Sequence, residues 1–453
     1  NLREEEMFEV PEWAANKVVY QIFPSRFAAT ELVDKELWYK APITPMDDLH
    51  GNLRGIIEHM DDIQNLGIDV LYMTPIFESN SCHKYDTTDY YQIDPSFGTT
   101  EDLKELVQKA HERGMKVVLD AVYNHTGREF FAFADILENG EKSKYRDWYF
   151  IDGFPLKSEW GEIPNFKCFG YYGGMPKLNL KNPEVEKYIT DVACYWIKEC
   201  DIDGWRLDVG DEISHFFWKN FRKAVKAVKK DLLIIGEIWH YAGDFLEGDE
   251  WDTVMNYPFY LNLIDLLADE KITVSQFVQN LGYLKGRLNK NCYPLMWNLI
   301  DSHDTARFLH LCNDNKKKQH LAAAFQLLLP GMPMIYYGDE YAMPGANDPD
   351  CRRGMYWDEE YQDKEMYEWY KQLIRVRKSH ACIVEGELAG IVTEDEEGTV
   401  VLIRKNGEET IAMIFNCSSS AKKFNEYTEK YNLLTENTFD GNVEGFDAAV
   451  IML

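Results

Sequence analysis

The 453-residue sequence predicts a parallel α/β barrel, interrupted by one long insert and followed by a small antiparallel β unit. Three observations carry that prediction. Short β-rich runs recur along most of the chain, amphipathic helical stretches separate them, and helical spacing stops near Glu385.

Val18-Val19-Tyr20-Gln21-Ile22-Phe23 reads as the first strand, with apolar residues at helical spacing over 53–66 behind it. Val70-Leu71-Tyr72-Met73 is the second, followed by a helix over 100–113 that Gly114 ends. Residues 116–122 form the third strand. An insert over 126–182, rich in Gly and aromatics, then breaks the pattern. Alternation resumes with a helix over 183–200, a strand over 203–209, a helix over 214–230 and a strand over 232–238. Further strands are expected at 253–257, 294–300 and 333–337, with helices near 274–288, 316–329 and 364–378. Eight such strands favour closure into a TIM (β/α)8 barrel. A doubly wound open sheet is the competing arrangement. It would want a Gly-rich phosphate turn after its first strand, and Phe23-Pro24-Ser25-Arg26 is not one. Past 385, Val400-Val401-Leu402-Ile403, Ile411-Ala412-Met413-Ile414-Phe415 and Ala448-Ala449-Val450-Ile451 lack intervening helices and predict a C-terminal β-sandwich. The expected divisions are 1–125 and 183–384 for the barrel, 126–182 for the insert and 385–453 for the β domain.

Composition excludes several function classes. A formal net charge of −29 disfavours nucleic acid, whose phosphates need a basic face. Aromatics at 14% fill a large core and also offer flat faces for sugar rings. Nine scattered cysteines without CxxC pairs indicate neither zinc nor a disulfide framework, and the odd count points to a reducing, cytoplasmic setting. No uncharged apolar run is long enough to span a bilayer. The chain opens on Asn1 and the charged Arg3-Glu4-Glu5-Glu6, which is no signal peptide. An upstream signal already removed would make the protein extracellular instead.

The chemistry is read from the ends of the strands, which converge on one face of such a barrel. Strand three ends in Asp120 and then Asn124-His125, strand four in Arg206 and Asp208, strand five in Glu237, and strand seven in His303-Asp304. A lone buried acid reads first as part of a structural ion pair. Two at successive strand ends are the equipment for glycoside cleavage, one attacking the sugar while the other protonates the departing oxygen. Arg206 and Asp208, two apart on one strand, leave from the same face, and the guanidinium favours an ionised Asp208. Ile235, Ile238 and Trp239 flank Glu237, so desolvation is expected to raise its carboxyl and keep it protonated. Asp304 is a third carboxylate, suited to stabilising positive charge as it develops. His125 and His303 are candidate donors to sugar hydroxyls, although either alone reads first as a structural histidine.

Four short stretches then resemble, in order, the signature regions of the α-amylase family of glycoside hydrolases. They are Asp120-Ala121-Val122-Tyr123-Asn124-His125, Gly204-Trp205-Arg206-Leu207-Asp208, Gly236-Glu237-Ile238-Trp239 and Ser302-His303-Asp304-Thr305. The resemblance implies a retaining mechanism with Asp208 as nucleophile, Glu237 as general acid/base and Asp304 as transition-state stabiliser. The two reacting carboxyls would be ~5 Å apart. It also implies sugar contacts from Tyr85, His125, Arg206, His303, Asp211, Glu212, Trp239 and His240, and makes Asp120 a structural acid at the barrel end.

Met175-Pro176-Lys177-Leu178-Asn179 and Gly345-Ala346-Asn347-Asp348-Pro349-Asp350-Cys351-Arg352-Arg353 resemble the neopullulanase, cyclomaltodextrinase and maltogenic amylase group. That implies a substrate among maltooligosaccharides, cyclodextrins, pullulan and starch, cleaved at α-1,4 linkages, with α-1,6 cleavage left open. A 4-α-glucanotransferase shares these catalytic residues and stays open as an alternative. A non-catalytic relative would lack one of the carboxylates, and all three are here. The group usually carries an N-terminal β domain that helps form a dimer, while this chain starts near the first barrel strand; both monomer and homodimer remain open. Val209-Gly210-Asp211-Glu212 departs from the group's Val-Ala-Asn-Glu, placing an acid on the acceptor side of the cleft. No cofactor is required by this chemistry. The resemblance leaves room for a structural calcium on Asn124 with insert acids such as Asp147 and Asp152. Among the insert aromatics Trp148, Tyr149, Phe154, Trp160, Phe166, Phe169, Tyr171 and Tyr172, most are expected to form a local core and one or two a sugar platform, with Trp239 and Tyr341 as further platform candidates.

Overall fold

Eight parallel strands form one sheet in the computed structural model, which describes residues 9–157 and 161–453. The acidic N-terminal run and Trp160 lie outside the described residues. The strands are β1 (Val19–Ile22), β2 (Val70–Met73), β3 (Lys116–Ala121), β4 (Gly204–Leu207), β5 (Leu233–Gly236), β6 (Thr253–Val254), β7 (Trp297–Leu299) and β8 (Met332–Tyr336). Hydrogen bonding runs β6-β5-β4-β3-β2-β1-β8-β7. A parallel bridge from Met255 to Trp297, with the Asn256 N–H donating to the Trp297 carbonyl at 2.8 Å, joins the two ends. The barrel closes on that bridge.

Because strand side chains alternate, every second residue points into the barrel. Val19, Val70, Val118, Leu233, Trp297 and Met332 fill its lower interior, and Val10 and Trp13 pack beneath them. One step further along each strand the inward residue turns polar: Gln21, Tyr72, Asp120 and Arg206. A dry apolar plug thus supports a layer of buried polar groups at the C-terminal ends.

The helices agree with the periodic pattern and differ at their edges. The expected helix over 53–66 is two, Leu53–Glu58 and Met60–Leu66, broken at His59, whose ring stacks on Trp357 at 3.6 Å. The expected strand over 253–257 stops at Val254. Asn256 accepts the Phe259 N–H as an N-cap and Pro258 sits in the first turn, so Tyr257–Leu263 is helical. Pro294 likewise turns Tyr293–Leu295 into a 3-10 segment and shortens β7. A hairpin of Phe77–Ser79 against Thr87–Ile93, which the periodic pattern does not predict, carries Tyr85 to the barrel mouth.

Beyond the barrel, β9 (Glu387–Glu394), β10 (Thr399–Asn406), β11 (Glu409–Asn416) and β12 (Asp447–Met452) pair antiparallel in that order. Their alternation is two-sided. Val400, Leu402, Ile411, Met413 and Phe415 face the barrel, where Phe415 stacks on Phe325 of helix Lys316–Leu328 at 4.2 Å. Val401, Ala412, Ile414 and Ile451 face the other way and are covered by Phe424, Tyr427 and Phe439.

Close packing makes the barrel sensitive at one glycine. A Cβ on Gly236 would lie 2.2 Å from the ring of Trp251, which is fully buried and stacked on Phe245 at 4.0 Å. Gly236→Ala is expected to cost about 1–3 kcal/mol by overpacking. Gly282 sits exposed inside helix Val274–Arg287, where an added Cβ would meet nothing within 4 Å, and Gly282→Ala is expected to add roughly 0.5–1 kcal/mol. Denaturant unfolding of both variants against the parent checks the pair, and coincident midpoints would contradict the packing argument.

Candidate active site

Arg206 occupies the centre of the polar layer. Its Nη1 donates to Asp120 at 3.0 and 3.1 Å and to Asp208 Oδ1 at 3.0 Å. Its Nη2 lies 2.9 Å from Glu237 Oε2. One guanidinium therefore meets three carboxylates, with its own side chain wholly buried. Strand parity explains the grouping. Asp120 pairs in register with Arg206 across β3 and β4, and Asp208 and Glu237 follow the ends of neighbouring strands β4 and β5.

The backbone also orients the pair. Val209 has φ +47°, a left-handed conformation that costs a β-branched residue energy. That turn directs its N–H to Glu237 Oε2 at 2.9 Å. Glu237 Oε1 accepts the Trp239 indole N–H at 3.2 Å. The sequence flanks of Glu237 are apolar, whereas in the structure its carboxyl group has an amide, an indole and a guanidinium as neighbours. Asp208 differs as well. Burial and the adjacent Glu237 charge push its carboxyl well above the usual range, with Arg206 opposing. Arg206, which the sequence places beside Asp208, is shared among three carboxylates, and its pull does not offset the burial.

Around the pair runs a second chain of hydrogen bonds. Tyr72 and Tyr85 donate to Asp120 Oδ2 at 2.6 and 2.8 Å. Since the Tyr85 proton is used there, its oxygen accepts from His303 Nε2 at 2.7 Å. His303 Nδ1 then accepts from the Gln21 amide at 2.7 Å, which leaves a neutral ring in the Nε2–H tautomer. Burial, then Arg352, holds His303 well below its ordinary pKa. Asp120 is raised to about 6 by burial, against the pull of Arg206 and the two tyrosines. Asp304 lies 3.2 Å from His303 Nε2 and 3.4 Å from Arg352 Nη2, and is the most open of the three candidate catalytic acids.

The remaining candidates divide. Tyr85 lies parallel to His303 at 5.5 Å between centroids and closes the floor beside Asp120. His125 donates from Nε2 to the Tyr85 carbonyl at 2.9 Å, its Nδ1 is 3.3 Å from the Asn124 amide, and burial lowers it to about 4. Both its nitrogens face protein, so the expected donation to a sugar hydroxyl requires the ring to exchange a partner. Trp239 is half-exposed and stacks on Tyr257 at 3.9 Å, a flat surface at the rim. His240 Nε2 pairs with Asp211 at 3.3 Å on the same rim. Glu212 Oε2 accepts from Asn124 Nδ2 at 3.1 Å and lies 3.6 Å from Lys177 Nζ. Tyr341 is not a platform: it stacks on Tyr367 at 5.2 Å, among helices that wrap the barrel. In the insert, Trp148, Tyr149 and Phe166 are core residues, whereas Phe169 is exposed with its ring 5.4 Å from His125. Gln21, Tyr72 and Arg352 escape sequence reasoning. The first two obey the same parity rule that selects Asp120; Arg352 arrives from a loop and leaves no such signal.

A carboxylate pair under one guanidinium, at the mouth of a closed parallel barrel, is the equipment of a glycosidase. The family model of the alpha amylase catalytic domain matches residues 21–386, and the chain belongs to the α-amylase family of glycoside hydrolases. It is 46% identical over 420 residues to the cyclomaltodextrinase of Geobacillus thermopakistaniensis (strain MAS1), spanning 92% of this chain and 71% of that one. A solved cyclomaltodextrinase superposes with a TM-score of 0.93 at 38% identity, covering 98% of this chain and 79% of its own. The ligand-free cyclic α-maltosyl-(1→6)-maltose hydrolase from Arthrobacter globiformis superposes at 0.89 and 36% identity, covering 98% of this chain and all of its own. Among the described residues no helix is long and apolar enough to cross a membrane.

The raised Asp208 carboxyl has a signed consequence for stability. Unfolded, this carboxyl titrates at about 3.9. Folded, it holds its proton to higher pH, so its contribution to stability is lost as pH climbs from about 4 through the raised value. Asp208→Asn removes that loss. The variant is expected to melt above the parent at neutral pH, with the gap closing below about pH 4. Thermal scans across pH check this, and a parent that outlasts the variant at neutral pH would contradict it.

Proposed function

We propose that this protein is a retaining α-glucan hydrolase in which Asp208 is the nucleophile, Glu237 the general acid/base and Asp304 the transition-state stabiliser. One observation carries the reading: Asp208 and Glu237 lie on either side of the Arg206 guanidinium, at 3.0 and 2.9 Å, on adjacent strand ends. Asp208 attacks the anomeric carbon while Glu237 gives a proton to the departing oxygen, forming a covalent glycosyl-enzyme. Glu237 then takes a proton from water, which attacks the same carbon and releases the sugar with its configuration retained. Asp304 faces the positive charge that develops at the ring. Arg206 holds both reacting carboxylates in register, and Tyr85 and Trp239 offer faces to the sugar rings.

The substrates we infer are α-glucans among maltooligosaccharides, cyclodextrins, pullulan and starch, cleaved at α-1,4 linkages, with α-1,6 cleavage read from the product analysis below. The names of the similar proteins support that class, as does the resemblance of the 175–179 segment. The Asp211–His240 pair at the rim bears on the acceptor, and so on the balance between water and a second sugar as the group attacked.

Incubation with cyclodextrin, pullulan, maltotriose and soluble starch, followed by chromatography and anomeric analysis of fresh products, tests the reading. Release of products that retain configuration is expected; inverted products, or none, overturn it. Glu237→Gln is expected to lower kcat by about 10²–10⁴-fold. Asp208→Asn activity within about tenfold of the parent would remove Asp208 as nucleophile. For the rim, Asp211→Asn is expected to shift the ratio of transfer to hydrolysis products, and an unchanged product profile would sink that role.

A further inference from the structure

The Met175-Pro176-Lys177-Leu178-Asn179 segment is the seam between insert and barrel. Leu178 N–H donates to the Asn124 carbonyl at 3.0 Å, Thr126 N–H to the Pro176 carbonyl at 3.1 Å, and Asn179 N–H to the Trp148 carbonyl at 2.7 Å. Lys177 pairs with His125 across this seam in an antiparallel bridge. Its side chain then runs inward, only 19% exposed. The ammonium donates to Asn124 Oδ1 and, at 2.9 Å, to the Glu212 backbone carbonyl, with Glu212 Oε2 at 3.6 Å. Asn124 is fully buried and its Nδ2 is already spent on Glu212.

The position is an all-oxygen nest, the donor chemistry of a hard divalent cation. A calcium ion on Asn124 does not fit it. The amide oxygen that would ligate the ion is taken by the ammonium. Asp147, a candidate second ligand, is exposed beside Arg146 at 3.7 Å. Among the described residues no three acids, histidines or cysteines converge anywhere on a metal-binding arrangement.

We propose that Lys177 is a built-in cation: its ammonium fills the nest formed by Asn124 and Glu212, and holds insert and barrel together without a divalent ion. Three chain segments meet on one charge. Asn124 follows β3, Glu212 lies four residues past Asp208, and Lys177 comes from the insert. A covalently tethered charge is never diluted away or chelated, so the loops behind the carboxylate pair keep their positions whatever the ionic conditions.

Thermal unfolding of the full chain tests this without relying on activity. The parent midpoint is expected to stay within about 1 °C when millimolar EDTA or millimolar calcium is added, since a ligand with no site shifts nothing. Lys177→Met keeps the length of the side chain and removes its charge; the midpoint is expected to fall by roughly 3–6 °C, as two lost charge-assisted bonds in a chain of this size would produce. Lys177→Ala opens the nest, and millimolar propylammonium is expected to raise its midpoint while leaving the parent unmoved. A parent destabilised by EDTA and restored by calcium overturns the proposal. So does a Lys177→Met variant that melts with the parent, or a Lys177→Ala variant that propylammonium does not raise.

Discussion

Arg206 is the charge on which the upper barrel depends. Buried carboxylates are tolerated only where something compensates them. Here Asp120, Asp208 and Glu237 face one guanidinium, which cannot lose its proton at any physiological pH. Its planar fork reaches neighbouring strands at once, which the single point charge of a lysine would not do. The apolar plug below it, from Val19 to Trp297, keeps water out of the barrel and gives those contacts their strength.

Sharing one cation among three acids leaves the site short of positive charge. The shortage is met by protons: Asp120 and Asp208 are both raised by burial. Raising buried carboxyls in this way is unfavourable for folding at neutral pH. Neutral His303, fixed by Gln21 and Tyr85, adds a polar contact without a second fixed charge.

The insert is attached by the same logic at a second place. Its aromatic core, around Phe133, Tyr149 and Phe166, is continuous with the main core, and Phe130 and Trp148 pack on Tyr188 of the helix over 183–200. The seam at 175–179 is polar, made of backbone bridges and the Lys177 ammonium against Asn124 and Glu212. Phe169, at the open edge of that junction, is brought within 5.4 Å of His125. Seam and cleft are therefore neighbours.

Periodicity is enough to read the barrel. Inward residues repeat every second position and helical faces every three to four, so the strands, the insert and the C-terminal sheet are legible without any contact being known. The same parity brings Asp120, Arg206, Asp208 and Glu237 to one face, and Asp304 joins them from the turn that follows β7. Boundaries fail where local capping overrides β propensity, at Asn256-Tyr257-Pro258 and at Pro294. Only the tertiary structure decides the electrostatics. Which carboxylates share Arg206, where Glu212 points, and that Lys177 reaches Asn124 depend on distances between residues far apart in the chain, and sequence spacing carries no information on those. Tyr341 shows the limit from the other side: an aromatic next to a signature stretch looks like a platform, yet packing against Tyr367 takes it out of the cleft.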